Sequence, residues 1–281
     1  MIIFAAVIRA LPIMNKYTLS MRLLLATSTV IISLLLIRCG SSRKEETVKV
    51  NNLNITYAVQ NSIPHDIAAF TQGFVVHNGQ LYESTGQEGS WIGIVDVNTG
   101  KADKKVVLAD QYFGEGITIL NQKIYQLTWQ NQVGFVYDLH TFKELNKFTY
   151  TTEGWGITHD GTDLIMSDGT DHLTYLDSAT LQVKKKVNVR REGQPVDNLN
   201  ELEFINGYIY ANIWQTDTIV RIDPANGEVT GVLDLTPLTK QARALNPQMD
   251  VLNGIAWHAS SQSLLVTGKL WPFIYVLKLT S

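Results

Sequence analysis

The sequence predicts an all-β fold assembled from five repeated units, and three observations carry that prediction. First, four segments align position by position: QGFVVHNGQLYES (72–84), EGITILNQKIYQL (115–127), WGITHDGTDLIMS (155–167) and NELEFINGYIYAN (200–212). Each reads as an apolar strand, a two-residue turn and a second apolar strand. The turns are Asn78-Gly79, Asn121-Gln122, Asp160-Gly161 and Asn206-Gly207, and three of these four are the Asn-Gly or Asp-Gly pairs that suit type I′ hairpins. A fifth copy, NGIAWHASSQSLLVT (253–267), has a turn two residues longer. Second, IVDVNTGK (94–101), VYDLHTFK (136–143), YLDSATLQ (175–182) and RIDPANGE (221–228) follow the first four hairpins. Each closes a strand on an Asp (Asp96, Asp138, Asp177, Asp223), whose short carboxylate can cap the next turn. Third, the units hold four strands in roughly 40 to 46 residues, the size of a β-propeller blade.

The prediction is therefore a five-bladed β-propeller. The fifth unit ends with PFIYVLKLTS, short of a fourth strand, and an open edge invites aggregation. VKVNNLNITYAVQ (48–60) alternates like a strand and is expected to pair with the last blade and close the ring. Residues 235–252 break the repeat. Their LTKQARAL stretch, between Pro237 and Pro247, reads as a short helical insertion.

The first strand of each blade lies nearest the axis, so the residues entering those strands should surround one mouth of the channel. They are Gln72, Glu115, Trp155, Asn200 and Asn253. Four of them precede a kept glycine (Gly73, Gly116, Gly156, Gly254), a backbone requirement, while the ring residue itself varies. That variation is what a binding site built of non-equivalent groups requires. Phe70 and Phe113 lie two residues before ring positions, while Trp129, Trp214 and Lys269 follow the second strands of blades two, four and five.

Glu115 is the ring's one carboxylate, and Phe113, Trp129 and Trp155 are expected to desolvate it. A carboxyl so shifted can exchange a proton near neutral pH. Gly114 is expected to leave the site room. Gln72 and Asn200 supply uncharged donors and acceptors, and Lys269 supplies a cation that could meet developing negative charge. Glu201 and Glu203 share one face of their strand and read as supporting groups. The set suits proton transfer and acyl chemistry on a small polar group. No GxSxG, P-loop or HExxH pattern occurs, and His77, His159 and His258 fall at hairpin turns.

The leader has its own reading. MRLLLATSTVIISLLLIRCGSS, starting at Met21, places Arg22 before an apolar run (Leu23–Ile37) and then Cys39, the chain's single cysteine. That is the layout of a bacterial export signal, and LIRC resembles a lipoprotein signal with Cys39 as the lipidated residue, although Arg38 stands where a small residue is usual. The organisation expected is a leader over 1–39, a polar tether over 40–47 and a propeller over 48–281. The protein is expected to be exported, periplasmic or an outer-membrane lipoprotein, and membrane-anchored through its N-terminus. A lone cysteine excludes an internal disulfide and a thiolate zinc cluster. The formal net charge of -3 gives no case for nucleic acid.

Seven segments in order carry a likeness: PHDIAAFTQGF (64–74), YFGEGIT (112–118), WGIT (155–158), MSDGT (166–170), NLNELEFINGYIYANIW (198–214), the Ile219–Val229 stretch and LNGIAW (252–257). Together they resemble the plant and bacterial type of glutaminyl-peptide cyclotransferase. The resemblance implies a five-bladed propeller that converts the N-terminal glutamine of peptides or proteins into pyroglutamate, releasing ammonia. It implies Glu115 as the catalytic carboxylate, and Phe70, Gln72, Phe113, Trp129, Trp155, Asn200, Trp214 and Lys269 as substrate-pocket residues. It further implies no cofactor required for catalysis, a structural metal ion allowed in the central channel, and a monomer. Two other readings stay open: a non-enzymatic binding propeller, and a metal-dependent propeller hydrolase acting on lactones or esters.

Overall fold

The computed structural model describes residues 53–280, and these form a five-bladed propeller. The leader, Cys39 and the tether lie outside the described residues. Blade one holds strands Thr71–His77, Gln80–Thr85, Trp91–Asp96 and Lys101–Val107, from the axis outward. Blade two holds Gly114–Leu120, Lys123–Thr128, Val133–Asp138 and Glu144–Thr149. Blade three holds Ile157–His159, Asp163–Ser167, His172–Asp177 and Val183–Asn188. Blade four holds Leu199–Ile205, Tyr208–Ile213, Thr218–Ile222 and Val229–Asp234. Blade five takes Leu252–His258, Ser263–Gly268 and Phe273–Thr280 from the C-terminal end, and Thr56–Pro64 from the N-terminal side as its outer strand.

That outer strand pairs antiparallel with the last one, from Thr56 opposite Thr280 to Pro64 opposite Phe273. It lies further along the chain than 48–60, for a reason visible at both ends. Before it, Ile55 donates to Val232 O (2.8 Å) and Val232 N to Leu53 O (2.7 Å), so residues 53–55 cover the outer edge of blade four first. At the other end Pro64 has no N–H to extend the ladder. His65 follows, buried, with Nδ1 at 2.8 Å from Trp271 O and Nε2 at 3.1 Å from Glu83 of blade one. The PHDIAAF segment therefore locks blade five to blade one.

Each blade-to-blade layer has its own apolar cluster. Val75, Tyr82 and Ile92 of blade one meet Ile117, Ile124 and Phe135 of blade two, and Phe74 and Leu81 meet Leu265 and Ile274 of blade five across the closure. Burying both faces of every sheet drives ring formation. The helix over Thr236–Leu245 has Pro237 in its first turn, as such helices favour, and packs Leu238 and Ala242 against blades four and five.

The turns follow their chemistry, with one exception. Asn78 and Gly79 both take positive φ (50° and 76°), as do Asn121 and Gln122 (52° and 60°) and Asn206 and Gly207 (51° and 89°), the type I′ geometry. At Asp160-Gly161 only the glycine does (95°), and His159 pairs with Leu164, so the loop is wider than two residues. The Asp160 carboxylate accepts from the N–H groups of Thr162 (2.9 Å) and Asp163 (2.8 Å), in place of the Asp160 carbonyl, while Asp160 N still donates to Asp163 O (3.1 Å). The four blade-end Asp residues cap their turns: Asp96 accepts from Asn98 N, Asp138 from Thr141 N, Asp177 from Thr180 N and Asp223 from Ala225 N. A small ribbon, Arg190–Arg191 with Gln194–Pro195, joins blades three and four and had no signal in the repeat.

Three of the four kept glycines are where inner strands touch, while the fourth, Gly254, takes a positive φ of 123°. A Cβ on Gly73 would stand 2.4 Å from Ile117 N, on Gly116 2.7 Å from Trp155 O, and on Gly156 2.1 Å from Asn200 O. Blade four replaces this glycine with Glu201, whose side chain crosses the axis. Its Oε1 accepts from Phe74 N of blade one (3.3 Å) and its Oε2 from Ile255 N of blade five (2.8 Å). Glu203 accepts from Trp257 N (2.9 Å). These carboxylates thus supply the hydrogen-bond partners of inner-strand N–H groups that no neighbouring strand reaches. Both of Glu201's oxygens are engaged in this way, and no three His, Cys, Asp or Glu side chains converge as ligands among the described residues. Among the described residues the channel therefore offers a cation no cluster of charged side-chain ligands.

Burial pushes the Glu201 carboxyl well above its usual range, with the neighbouring Glu203 adding to it, and burial pushes Glu203 up to about 8. Between its ordinary value of 4.5 and about 8, folded Glu203 holds a proton that the unfolded chain has released. Stability should therefore fall as pH rises through that window and level off above it. Glu203→Gln removes one such proton and should flatten the decline in chemical-denaturation midpoint across the same pH series. An unchanged slope in the variant would place the proton elsewhere.

Candidate active site

The ring residues owe their orientation to bulges. In blade two Gly114 pairs with Thr128 and Ile117 with Gln126, so Glu115 and Gly116 together oppose Leu127. The same break falls between Leu199 and Leu202 in blade four, between Leu252 and Ile255 in blade five, and at Gln72 in blade one. A bulge of this kind re-aims side chains. Here it turns Gln72, Glu115 and Asn200 toward the mouth, while in blades one and two the following glycine keeps its contact with the next blade.

A cavity of about 300 Å³ opens at that mouth, lined by Phe70, Gln72, Phe113, Glu115, Trp129, Trp155, Asn200, Trp214, Asp250 and Lys269. Every residue expected in the pocket is there. Asn253, the fifth ring residue, sits behind it: its Nδ2 donates to Gln72 Oε1 (3.2 Å) and to Thr71 O (3.0 Å), which sets the Gln72 amide. Gln72 Nε2 then donates to Glu115 Oε1 (3.0 Å). Gly114 does not widen the pocket. A Cβ there would stand 2.6 Å from Thr85 O, so this glycine lets two blades approach.

The aromatic walls interlock. Phe113 meets Phe70 edge-on (6.2 Å between ring centroids) and Trp129 at a tilt (5.6 Å), and Trp155 meets Trp214 edge-on (5.4 Å). Lys269 Nζ stands 4.8 Å over the Phe70 ring. The polar atoms between these walls are few. Asn200 Oδ1 is buried and has no partner within the protein, which leaves an acceptor for a bound N–H.

Electrostatics separate the two charged groups. Burial pushes the Glu115 carboxyl well above the usual carboxylate range; Lys269 pulls it back and Glu153 pushes it further up. Burial lowers the Lys269 ammonium despite the opposing charges of Glu115 and Asp250. Both groups are thereby brought toward the range where a proton can move.

A family model described as Glutamine cyclotransferase matches residues 30–279. The chain belongs to the glutamine cyclotransferase family. The glutaminyl-peptide cyclotransferase of Arabidopsis thaliana is 43% identical over 220 residues, covering 77% of this chain and 69% of that relative. The crystal structure of Myxococcus xanthus glutaminyl cyclase superposes with a TM-score of 0.77 at 34% identity, covering 82% of this chain and 99% of that one.

For a glutamine cyclotransferase, two further residues bear on the pocket. Glu153 Oε2 accepts from both indoles, Trp129 Nε1 (2.7 Å) and Trp155 Nε1 (2.9 Å), and its Oε1 accepts from Gln130 Nε2 (3.1 Å). Burial opposes its charge, but these three bonds outweigh it and hold the carboxyl below the usual range. One ionised group therefore pins two walls contributed by different blades. A signal existed: Glu153 lies two residues before ring residue Trp155, the offset that pointed to Phe70 and Phe113. Asp250 had none. It belongs to the insertion, and its N–H donates to Lys269 O (2.9 Å), which brings it to the mouth.

Glu153→Gln keeps the shape, loses the charge and cannot accept two indole N–H groups as well. The acid limb of the kcat/KM profile should move to lower pH, because a charge that raises the Glu115 carboxyl is gone, and KM should rise several-fold. An unmoved limb would mean that Glu153 has no electrostatic reach to Glu115.

Proposed function

We propose that this site cyclises N-terminal glutamine, with Glu115 moving the protons. The activity is that of a glutaminyl-peptide cyclotransferase: a peptide beginning with glutamine becomes a pyroglutamyl peptide and ammonia. One observation supports the role of Glu115 above the others. It is a solitary buried carboxyl on the pocket floor, held by Gln72 and raised by burial toward the range where it can both take and give a proton.

The free α-amine of the substrate attacks its own γ-carboxamide carbon. A C–N bond forms and the carbonyl oxygen gains charge. Glu115 takes a proton from the attacking nitrogen and delivers it to the departing amide nitrogen, whose C–N bond breaks to release ammonia. Ring closure is intramolecular, so holding the side chain folded between Phe113, Trp129, Trp155 and Trp214 supplies much of the rate. Lys269 lies on the wall where it can meet the oxyanion, with the amides of Gln72 and Asn200 as further donors. The Asn200 acceptor is placed to bind an N–H of the substrate. No cofactor takes part.

The test is ammonia release from a Gln-initiated dipeptide amide, with and without chelator. Chelator-resistant release is the expected result. No release would overturn the reading, and chelator-sensitive release would favour a metal-dependent hydrolase.

The same reading extends to the cell. The Arg22–Cys39 layout supports an exported, bacterial protein held at the membrane by a lipid on Cys39 or by its signal segment; the reading adds a monomer that acts on peptides or proteins.

A further inference from the structure

We propose that a groove beside the pocket, between blades one and two, binds the part of the peptide that follows the N-terminal glutamine and favours basic residues there. The inference rests on the cyclotransferase reading of the pocket. The groove encloses about 530 Å³ and shares Phe113 and Trp129 with the catalytic cavity. Its volume falls in the range of ligand sites. Trp129 is 38% exposed, with its indole N–H held by Glu153, so the ring is a fixed partition with a face toward each cavity.

A peptide substrate needs such a path. The catalytic cavity is sized for one residue, and the chain beyond the glutamine must leave through its mouth, advancing about 3.3–3.6 Å per residue when extended. The groove's side chains suit a backbone with unpaired N–H and C=O groups: Gln87, Gln111, Gln130 and Asn131 all line it. The groove is also braced. Ser90 N and Oγ donate to Gln87 O (3.2 and 2.6 Å), while Ser90 Oγ accepts from Gly114 N (3.0 Å) at the start of the strand that carries Glu115. Asn131 Nδ2 donates to Gln111 O (3.0 Å) and ties the opposite bank together.

Charge sets the preference. The lining includes two carboxylates, Glu88 and Asp110, and no cationic side chain. A Lys or Arg two or three residues after the glutamine is attracted here, and an acidic residue is repelled.

The full-length protein is tested at low salt on three substrates: Gln-Ala-amide, Gln-Ala-Lys-Lys-amide and Gln-Ala-Glu-Glu-amide. The expected kcat/KM for the lysine peptide exceeds that for the glutamate peptide by about tenfold, the size of two exposed charge pairs, and the gap narrows in high salt. Glu88→Gln combined with Asp110→Asn should close the gap while leaving Gln-Ala-amide turnover unchanged; both positions are exposed, so folding is not at stake. Equal rates on the two charged peptides, or a preference that survives in the double variant, would overturn the proposal while Gln-Ala-amide is still cyclised. Failure to cyclise Gln-Ala-amide would bring down the cyclotransferase reading and this inference with it.

Discussion

Glu115→Gln should lower kcat for ammonia release by roughly 10²- to 10⁴-fold, the contribution typical of a positioned general acid–base. The substitution is nearly isosteric. Its amide oxygen can still accept from Gln72 Nε2, which now approaches Glu115 Oε1 to 3.0 Å. The fold should therefore persist, and the removal of a buried ionisable group should leave the thermal midpoint unchanged or higher. KM should change little, because the aromatic walls and Asn200 still bind the glutamine side chain. That split, a fall in kcat without a matching rise in KM, is the signature of an interaction made in the transition state. A variant retaining more than about a tenth of wild-type kcat would be inconsistent with proton transfer by Glu115.

Lys269→Met carries the next largest effect and discriminates more finely. If the ammonium meets the oxyanion, its loss should cost about 10²- to 10³-fold in kcat. It should also move the acid limb of kcat/KM to higher pH, because the Lys269 charge opposes the burial that raises the Glu115 carboxyl. The shift is opposite in sign to that expected for Glu153→Gln. Two variants on opposite sides of one carboxyl, moving the same limb in opposite directions, would test the electrostatic account without reliance on absolute rates. A loss below about tenfold for Lys269→Met would give the oxyanion to Gln72 or Asn200 instead. Limbs that move together would refute the account of Glu115.

The pocket residues were legible because the fold repeats. Aligned hairpins place Gln72, Glu115, Trp155 and Asn200 at one structural position, and the aromatics stand at fixed offsets from it. The residues that escaped lie where the repeat stops. Asp250 sits in the insertion, and nothing in its local sequence shows that the chain returns to Lys269. Glu153 sits in a connecting loop, and its role depends on two indoles that meet only when blades two and three pack. Asn253 occupies the same repeat position as Glu115 yet orients Gln72 from behind the cavity, because blade five packs against blade one at that point. Asp160-Gly161 read as a type I′ pair, but the carboxylate competes with the hairpin for the same N–H groups, and which wins depends on the loop around it.

By itself, the sequence determined the number of blades, all but one of the paired hairpin turns, the positions that ring the axis and the types of side chain available there. Those follow from local rules: alternation, turn chemistry and the need for glycine where strands touch. Only the tertiary structure decided the rest: that Glu201 takes a glycine's place and bonds across the channel, that one carboxylate pins two tryptophans, and that an acidic groove adjoins the pocket. These depend on distances between residues far apart in the chain. The state of Glu115 belongs to this second group. Its acidity is set by burial and by the charges of Lys269 and Glu153, each supplied by a separate stretch of sequence.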